Sequence, residues 1–489
     1  MRYLASLLLT VLLLSGAELS APEKTLLADI AANTMRGHVS FLASDVLEGR
    51  DTPSRGLEVA GEYIASQFRR FGLEPAGDEG YFQNAPYLLV SQPMEQFRVT
   101  LEWGGRSWKP AAVSVMVTAA AAASFAAVEV VKVSLPDVET PLPARELVQG
   151  KAVILVAPTR SRAMTGRRDE LRALGPAVVV MGGFIFTSGP RLTEANPAAA
   201  PARAPLVVTS DPEFTKFAAD LPEGVTAARL SATIQAGNNE PIKLKNVIAK
   251  LPGSDPKLAD SYVLLTAHYD HVGVSRQGEG DRINNGANDD ASGVATVLSL
   301  AEAFSKLPQR PKRTLVFMTY FGEEKGLFGS RYYVNHPAFP LAKTVANLNF
   351  EHMGRTDDNE GPRAGKITAS GFDYTTIGDV LTEAGQLTGI EAWKQEKNSD
   401  MYFARSDNQA LADAGVPALT VAVAWIFPDY HRPGDEWAKL DYANMEKVVR
   451  TCAVTVSRIA NNDQVPTWVE SNPKVEKYIR AWKMLHAAN

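Results

Sequence analysis

Histidine and carboxylate side chains recur in five short segments of the second half of this chain. The segments are Ala-His-Tyr-Asp-His at 267–271, Asn-Asp-Asp-Ala-Ser-Gly at 288–293, Gly-Glu-Glu-Lys-Gly at 322–326, Asn-Phe-Glu-His at 349–352 and Asp-Tyr-His at 429–431. Four of them come at or just beyond the end of an apolar run, and the segment 288–293 leads into a helix. Open α/β sheets bind ligands at the carboxyl ends of their strands. The pattern therefore predicts one polar site at that edge.

The chemistry of these side chains is that of a zinc site. Imidazole and carboxylate groups bind zinc at about 2.0–2.2 Å. Two histidines with three carboxylates are more than one tetrahedral ion requires, and they suit two ions about 3.5–4 Å apart that share a bridging carboxylate. One carboxylate of the pair Glu323 and Glu324 is then free to act as a general base. The single cysteine, Cys452, excludes a four-cysteine zinc site and a disulfide within the chain.

Each segment also has a plainer interpretation. Asp289 and Asp290 could cap the following helix, and Glu323 and Glu324 could be a solvated loop pair. Five such groups at one sheet edge are hard to explain as caps and surface charge. The chain has no His-Glu-x-x-His, no Gly-x-Ser-x-Gly and no glycine-rich phosphate loop after a strand, which disfavours other hydrolase classes.

Apolar runs that alternate with helical patterns predict the elements that position the site. The runs at 262–267, 314–320, 345–350 and 418–423 are continuous, as in strands that are buried on both faces. They predict an α/β fold with a mostly parallel mixed sheet flanked by helices. Two further runs, at 152–156 and 177–181, predict a smaller separate unit that contains no histidine.

Composition and charge limit the partners. The 489 residues are 45% apolar and 21% charged, with 50 Lys+Arg against 55 Asp+Glu, a net charge of −5. This balance is that of a globular protein, and it disfavours a chain-wide nucleic-acid face. Arg2, the apolar run 4–14 and the small residues 15–17 predict a signal peptide, 1–17, that is removed on export to the periplasm or outside. An uncleaved anchor is the alternative, although the run is too short to span a membrane.

The motifs at 267–271, 288–293 and 322–324, with Tyr430-His431 and Pro433, resemble those of the M28 family of dinuclear zinc aminopeptidases. The segment 38–50 is similar to the lead-in of bacterial, secreted members, and the resemblance covers about 25–95 and 245–460. It implies a fold of the zinc-dependent exopeptidase, phosphorylase/hydrolase-like class with an inserted protease-associated domain. The domains expected are a peptidase domain at 22–112 and 241–465, the insertion at 113–240, and a helical extension at 466–489.

The resemblance also implies a role for each candidate residue. Two Zn²⁺ ions per chain are expected, with Asp289 bridging them. The expected roles are His268 and Glu351 on one zinc, Glu324 and His431 on the other, Glu323 as general base, Asp270 orienting His268, and Tyr430 stabilising the oxyanion. The family usually has Asp where this chain has Glu351, so neighbouring His352 is a fallback ligand. Asn408 stands where members often carry His, and this difference bears on substrate specificity.

The function implied is hydrolysis of amino-terminal residues from peptides, by a water between the ions that Glu323 deprotonates. Three alternatives remain open. A glutaminyl cyclase would use one zinc, and a receptor-like relative would have lost ligands and base. A carboxypeptidase would need arginines in its pocket, and the sequence does not locate Arg355, Arg363, Arg405 or Arg432 there. The oligomeric state and the preferred residue are not predicted.

Overall fold

A computed structural model of the protein describes residues 18–158, 162–183, 191–195, 203–275 and 278–487. The predicted signal peptide at 1–17 lies outside these residues. The chain divides into two compact units, of which the second, Pro86–Lys243, is inserted into the sequence of the first. The first unit contains all five segments with the candidate site residues.

Four parallel strands form the centre of the sheet in the first unit. Their spatial order is Ala418–Ala422, Thr344–Phe350, Tyr262–His268 and Thr314–Tyr320. Nearly every residue in them is buried, as expected of parallel strands that are covered on both faces. Asn238–Leu251 and Lys366–Ala369 pair with the outer members antiparallel. The predicted mostly parallel, mixed α/β sheet is confirmed. The remaining strands are Glu74–Pro75, Phe82–Ser91, Asp357–Asp358, Gly361–Pro362 and Glu391–Ala392.

Helices cover this sheet, and their ends follow capping chemistry. Arg55–Arg70 begins after Ser54, whose hydroxyl accepts a hydrogen bond from the Leu57 N–H, and the apolar stripe of this helix, which includes Phe68, is buried. Asp441 likewise caps Tyr442–Asn461. The α-helices of the first unit are Ala21–Ala28, Ala32–Leu42, Arg55–Arg70, Ser292–Ser305, Phe328–Asn335, Ile377–Thr388, Ser399–Tyr402, Asn408–Asp413, Tyr442–Asn461 and Glu476–Ala487. The last of these belongs to the predicted extension at 466–489, where Trp468 and Tyr478 pack into the core with Leu411.

The second unit has its own sheet with an apolar core on each face. Its strands run in the order Arg106–Trp108, Arg98–Trp103, Gly224–Ile234, Ala123–Ser134, Ala152–Val156, Val178–Gly182, Leu206–Thr209 and Val115–Thr118. The four strands from Ala123–Ser134 to Leu206–Thr209 are parallel. Ala152 and Ile154 face one core, and Val153 and Leu155 face the other. Its helices are Arg145–Val148, Arg162–Ala173 and Pro212–Asp220.

The second unit begins at Pro86, whereas the sequence predicts its start at 113. The difference arises because Arg98–Trp103 pairs with Gly224–Ile234 and so belongs to the sheet of the insertion. None of the helices in the described ranges combines the length and the apolar character needed to cross a bilayer.

Candidate active site

The carboxyl ends of the four parallel strands bring the candidate residues together. His268 is the last residue of its strand, and Glu351 directly follows Thr344–Phe350. Glu323 and Glu324 lie in the turn after Thr314–Tyr320, and His431 lies in the long loop after Ala418–Ala422. Asp289 lies in the irregular turn Ala287–Ala291 ahead of the buried helix Ser292–Ser305.

Asp289 lies at the centre of the site, and its two carboxylate oxygens face different groups. Oδ1 is 3.2 Å from His268 Nε2 and 3.6 Å from His352 Nε2. Oδ2 is 3.1 Å from His431 Nε2 and 3.8 Å from His271 Nδ1. The carboxylate is nearly fully buried. One carboxylate therefore faces two sets of nitrogen donors, one on each side.

Carboxylates complete both sets of donors. Glu351 Oε1 is 3.8 Å from His268 Nε2. Glu324 Oε1 is 3.1 Å from His431 Nε2 and 3.0 Å from His271 Nδ1. Donor atoms around a tetrahedral zinc with bonds of 2.0–2.1 Å are about 3.3 Å apart. The separations around Glu324 Oε1 are close to that value, so this set fits such an ion, whereas Glu351 lies farther from His268 in the other set.

The second ring nitrogen of His268 is held by its own loop. Nδ1–H donates to the Asp270 carbonyl oxygen at 3.2 Å, which leaves the Nε2 lone pair facing Asp289. The Asp270 carboxylate is 3.6 Å from the same nitrogen. It accepts hydrogen bonds from the Glu323 N–H and the Thr52 hydroxyl, both at 3.1 Å. Asp270 thus fixes His268 and the backbone of Glu323 together.

Glu351 is positioned by a buried polar network. The Ser406 hydroxyl donates to Glu351 Oε1, and Asn349 Nδ2 donates to Ser406 Oγ at 2.8 Å. Asn408, where the family often has His, accepts a hydrogen bond from the Thr420 hydroxyl at 2.8 Å and donates one to the Phe403 carbonyl oxygen at 3.1 Å. The longer Glu side chain is thus held by Ser406.

Two anchoring residues were missed from the sequence, Arg50 and Asp435. The Asp435 carboxylate accepts the backbone N–H groups of Asn288 at 3.0 Å and Asp289 at 3.1 Å. Arg50 is 1% exposed and donates to backbone carbonyls of Tyr269, Asn285 and Gly286, and to that of Leu42. Arg50 is the last residue of the segment 38–50, and the similarity of that segment to the family was the sequence signal that could have identified it. His271 was also missed as a neighbour of Asp289, although it is three residues from His268.

The pKa shifts follow from burial and from the imidazoles. Burial raises the pKa of Asp289, but the bonds from His268, His352 and His431 outweigh it and hold that pKa well below 3.8. Burial and the Asp289 charge oppose ionisation of Glu324, yet the neighbouring imidazoles bring its pKa to about 2. Burial raises the pKa of Glu323 well above 4.5. Three carboxylates in one small site thus differ widely in proton affinity.

A cavity of about 580 Å³ opens onto this cluster. Besides the site carboxylates and His268, its walls include Leu327, Arg331, His352, Tyr402, Arg405, Ser406, Trp425, Ile426 and Tyr430. Tyr430 is 42% exposed and its ring stacks on His431 with centroids 3.9 Å apart. Of the four arginines that the sequence could not locate, Arg405 lines the cavity, while Arg355 and Arg363 form ion pairs with aspartates.

The structure brings the sequence-predicted site residues together at one edge of the sheet. His268 and His431 each lie within 4 Å of Asp289 and of one glutamate, Glu351 or Glu324, and Glu323 and Tyr430 line the cavity. Their roles as ligands, base and oxyanion donor stay predictions. The fallback ligand His352 lies on the same side of Asp289 as His268.

Fold and site together define the class of an α/β protein with a cluster of histidines and carboxylates, a candidate metal site, at its sheet edge. Residues 246–456 match the sequence model of peptidase family M28.

Curated proteins are also similar to this chain in sequence. The leupeptin-inactivating enzyme 1 of Streptomyces exfoliatus is 36% identical over 192 residues, which are 39% of this chain and 38% of the relative. A probable zinc metalloprotease of Pyrenophora teres f. teres is 34% identical over 280 residues, 52% of this chain and 58% of the relative. The chain therefore spans about two fifths to three fifths of these relatives.

Among solved structures, the fold is similar to that of the aminopeptidase from Aneurinibacillus sp. strain AM-1. The TM-score is 0.61 at 20% identity, with 91% of this chain and 97% of the other covered. BSAP, a zinc aminopeptidase from Bacillus subtilis, gives a TM-score of 0.51 at 18% identity, with 89% and 96% covered. At these identities the similarity is one of fold.

Proposed function

We propose that this protein is a dinuclear zinc aminopeptidase, which hydrolyses amino-terminal residues from peptides. The observation that carries the proposal is the Asp289 carboxylate, whose two oxygens each face a separate set of histidine and glutamate donors. A bridging carboxylate between two such sets is the arrangement of two-metal hydrolytic sites. The M28 match and the names of the relatives support the same reading.

The donor set fits two zinc ions. His268 and Glu351 would hold one ion and Glu324 and His431 the other, with Asp289 shared. Carboxylate oxygen and imidazole nitrogen are both zinc ligands. Zinc bound there would lower the pKa of a water and polarise the scissile carbonyl.

The remaining chemistry belongs to side chains on the cavity wall. Glu323 takes the proton from the attacking water and returns it to the leaving amine, as a general base and then acid. Burial raises the pKa of the Tyr430 hydroxyl, and nearby carboxylates raise it further, so the hydroxyl stays protonated and can donate to the oxyanion. The stack on His431 fixes the direction of that hydroxyl.

A free α-amino group is the substrate feature that the site would recognise. Asp289, Glu324, Glu351 and Glu323 concentrate negative charge at one end of the cavity, which favours an ammonium group close to the scissile bond. Cleavage of one residue at a time follows from that geometry. Aminoacyl 4-nitroanilides and their N-acetylated counterparts test it, because only the free amines should be cleaved.

Carboxypeptidase activity is the second candidate, and one observation favours it. Arg331 and Arg405 line the cavity, and an arginine is the residue of choice for a substrate carboxylate. Peptides blocked at the amino terminus but free at the carboxyl terminus distinguish the two. A glutaminyl cyclase-like reaction is disfavoured by the two complete donor sets, and amino-terminal glutamine peptides test it directly.

We also propose that the protein acts outside the cytoplasm, because residues 2–17 have the composition of a signal peptide. Mass spectrometry of exported protein should find Glu18 at the amino terminus. A chain that still carries Met1 would favour the anchor instead.

A further inference from the structure

His271 is a buried histidine whose two ring nitrogens are both without hydrogen bonds. Its exposure is 0%, and neither Nδ1 nor Nε2 has a hydrogen-bond partner among the described residues. Leaving a buried polar atom unpaired is energetically costly, so such atoms are rare in native proteins and call for an explanation. A metal ion bound between His271 and its neighbours would be such a partner.

The neighbours of Nδ1 point to that partner. Glu324 Oε1 is 3.0 Å away, and this oxygen is also without a hydrogen-bond partner among the described residues. Two such atoms, close together and otherwise unpaired, are near enough for one cation to contact both. His271 Nδ1, Asp289, Glu324 and His431 each offer one donor atom, and all four atoms lie within 4.8 Å of one another.

The backbone around His271 holds the ring in this place. The His271 N–H donates to the Arg50 carbonyl oxygen at 3.2 Å. Gly286, with φ of +62°, lies against the ring, and a Cβ at that position would be 2.5 Å from His271 Cγ. The absence of a side chain at 286 is therefore required for the imidazole to lie beside Asp289 and Glu324.

We propose that His271 is a fourth protein ligand at the metal position formed by Asp289, Glu324 and His431. This inference rests on the proposed metallohydrolase function, and it goes beyond the five ligands implied by the family resemblance. Structural zinc sites have four protein ligands and catalytic sites three. The His271 position is then the tighter one.

The test replaces His271 by cysteine and uses cobalt as the probe. Nδ1 is the ring nitrogen nearer the backbone, so a cysteine Sγ at this position lies on the same side of the site, and the longer metal–sulfur bond of about 2.3 Å offsets part of its shorter reach. Co²⁺-loaded His271→Cys protein should show a thiolate-to-cobalt charge-transfer band in the near ultraviolet. Co²⁺-loaded native protein is the blank, because its single cysteine, Cys452, is buried in the helix Tyr442–Asn461.

A second measurement follows zinc affinity by competition with a chromophoric chelator. Losing an outer-shell partner of a metal site costs about 10–100-fold in affinity, so losing a ligand in His271→Ala should weaken the tighter zinc by about 100-fold or more. His38→Gln is the matched control, since it removes another buried imidazole, one that contacts Tyr63, outside the cluster. It should leave both zinc affinities within about threefold.

The outcomes separate the two proposals. If His271→Cys shows no charge-transfer band, and His271→Ala binds two zinc ions as tightly as native protein does, the inference is overturned and the dinuclear site stands. If native protein binds only one zinc ion and His271→Ala loses it, this supports His271 as a ligand and overturns the dinuclear proposal. A band in His271→Cys together with a weakened tight site in His271→Ala supports both.

Discussion

Replacing Glu323 by Gln should remove most of the turnover and leave the metals in place. The amide keeps the size of the side chain, and the Glu323 N–H stays anchored on Asp270 at 3.1 Å, so the residue should keep its position on the cavity wall. The amide has no proton acceptor of comparable basicity. A positioned acid–base group typically contributes about 10²–10⁴-fold, or roughly 3–5 kcal/mol of transition-state stabilisation. Because Glu323 is proposed to act in both proton transfers, kcat should fall at least that far.

The neighbouring residue supplies the matched control. Glu324 Oε1 lies 3.0 Å from His271 Nδ1 and 3.1 Å from His431 Nε2, in the middle of one donor set. Glu324→Gln replaces that carboxylate oxygen by a neutral amide oxygen, which is a poorer zinc ligand. Zinc content should therefore drop towards one ion per chain in Glu324→Gln and stay unchanged in Glu323→Gln.

The assay is steady-state kinetics on leucine 4-nitroanilide, with zinc measured by plasma mass spectrometry on the same samples. Glu323→Gln with full zinc and a kcat within tenfold of native would refute the assignment of the base. Loss of zinc from Glu323→Gln, with Glu324→Gln intact, would require the two roles to be exchanged.

Three further results are expected. Tyr430→Phe keeps the stack on His431 but removes the hydroxyl, so kcat on the same substrate should fall by about 10²–10³-fold with zinc unchanged; an unaltered kcat would contradict the oxyanion role. Chelation should abolish activity, added zinc or cobalt should restore it, and restored protein should hold about two ions per chain by elemental analysis. Burial lowers the pKa of His38 from 6.5 to about 4. As pH falls, the unfolded chain therefore takes up a proton on His38 before the folded chain does. That difference lowers the free energy of unfolding by up to about 3 kcal/mol between pH 6.5 and pH 4. His38→Gln should remove that loss in urea unfolding at pH 7 and pH 4.5, whereas the exposed His486→Gln should not.

The central sheet could be predicted because its signal is local. A run such as Thr314–Tyr320 is mostly apolar without alternation, which identifies a strand that is buried on both faces without knowledge of its partners. Once four such strands are taken as parallel, their carboxyl ends must meet at one edge. The clustering of His268, Glu323 and Glu351 follows from that step alone.

The boundary of the inserted unit could not be predicted in the same way, because it depends on pairing between distant segments. Arg98–Trp103 has the alternating character of a strand, but nothing in its own residues says that its partner is Gly224–Ile234, more than 100 residues later. The environment of His271 is non-local as well. Its contact with Gly286 arises only when two separate loops fold against each other.

Arg50 is the most distant residue in the sequence on which the candidate site depends. The family match begins at residue 246, yet the backbone carbonyls of Tyr269, Asn285 and Gly286 are held by a guanidinium more than 200 residues earlier in the chain. Tyr269 belongs to the loop of His268 and His271, and Gly286 precedes the turn of Asp289. A single buried cation therefore ties together the loops that carry donors from both sides of Asp289.

This cation is fixed electrostatically as well as by geometry. Burial lowers the pKa of Arg50 to about 10, and the charges of Asp270 and Asp289 oppose that shift. The guanidinium thus stays charged at neutral pH and offsets part of the carboxylate repulsion in the cluster. Removing it would leave three or more buried carbonyls unpaired, each at a cost of about 1–3 kcal/mol, and would free the loops of His271 and Asp289 from each other. The segment 246–456 supplies the donors, but the amino-terminal segment sets the distances between them.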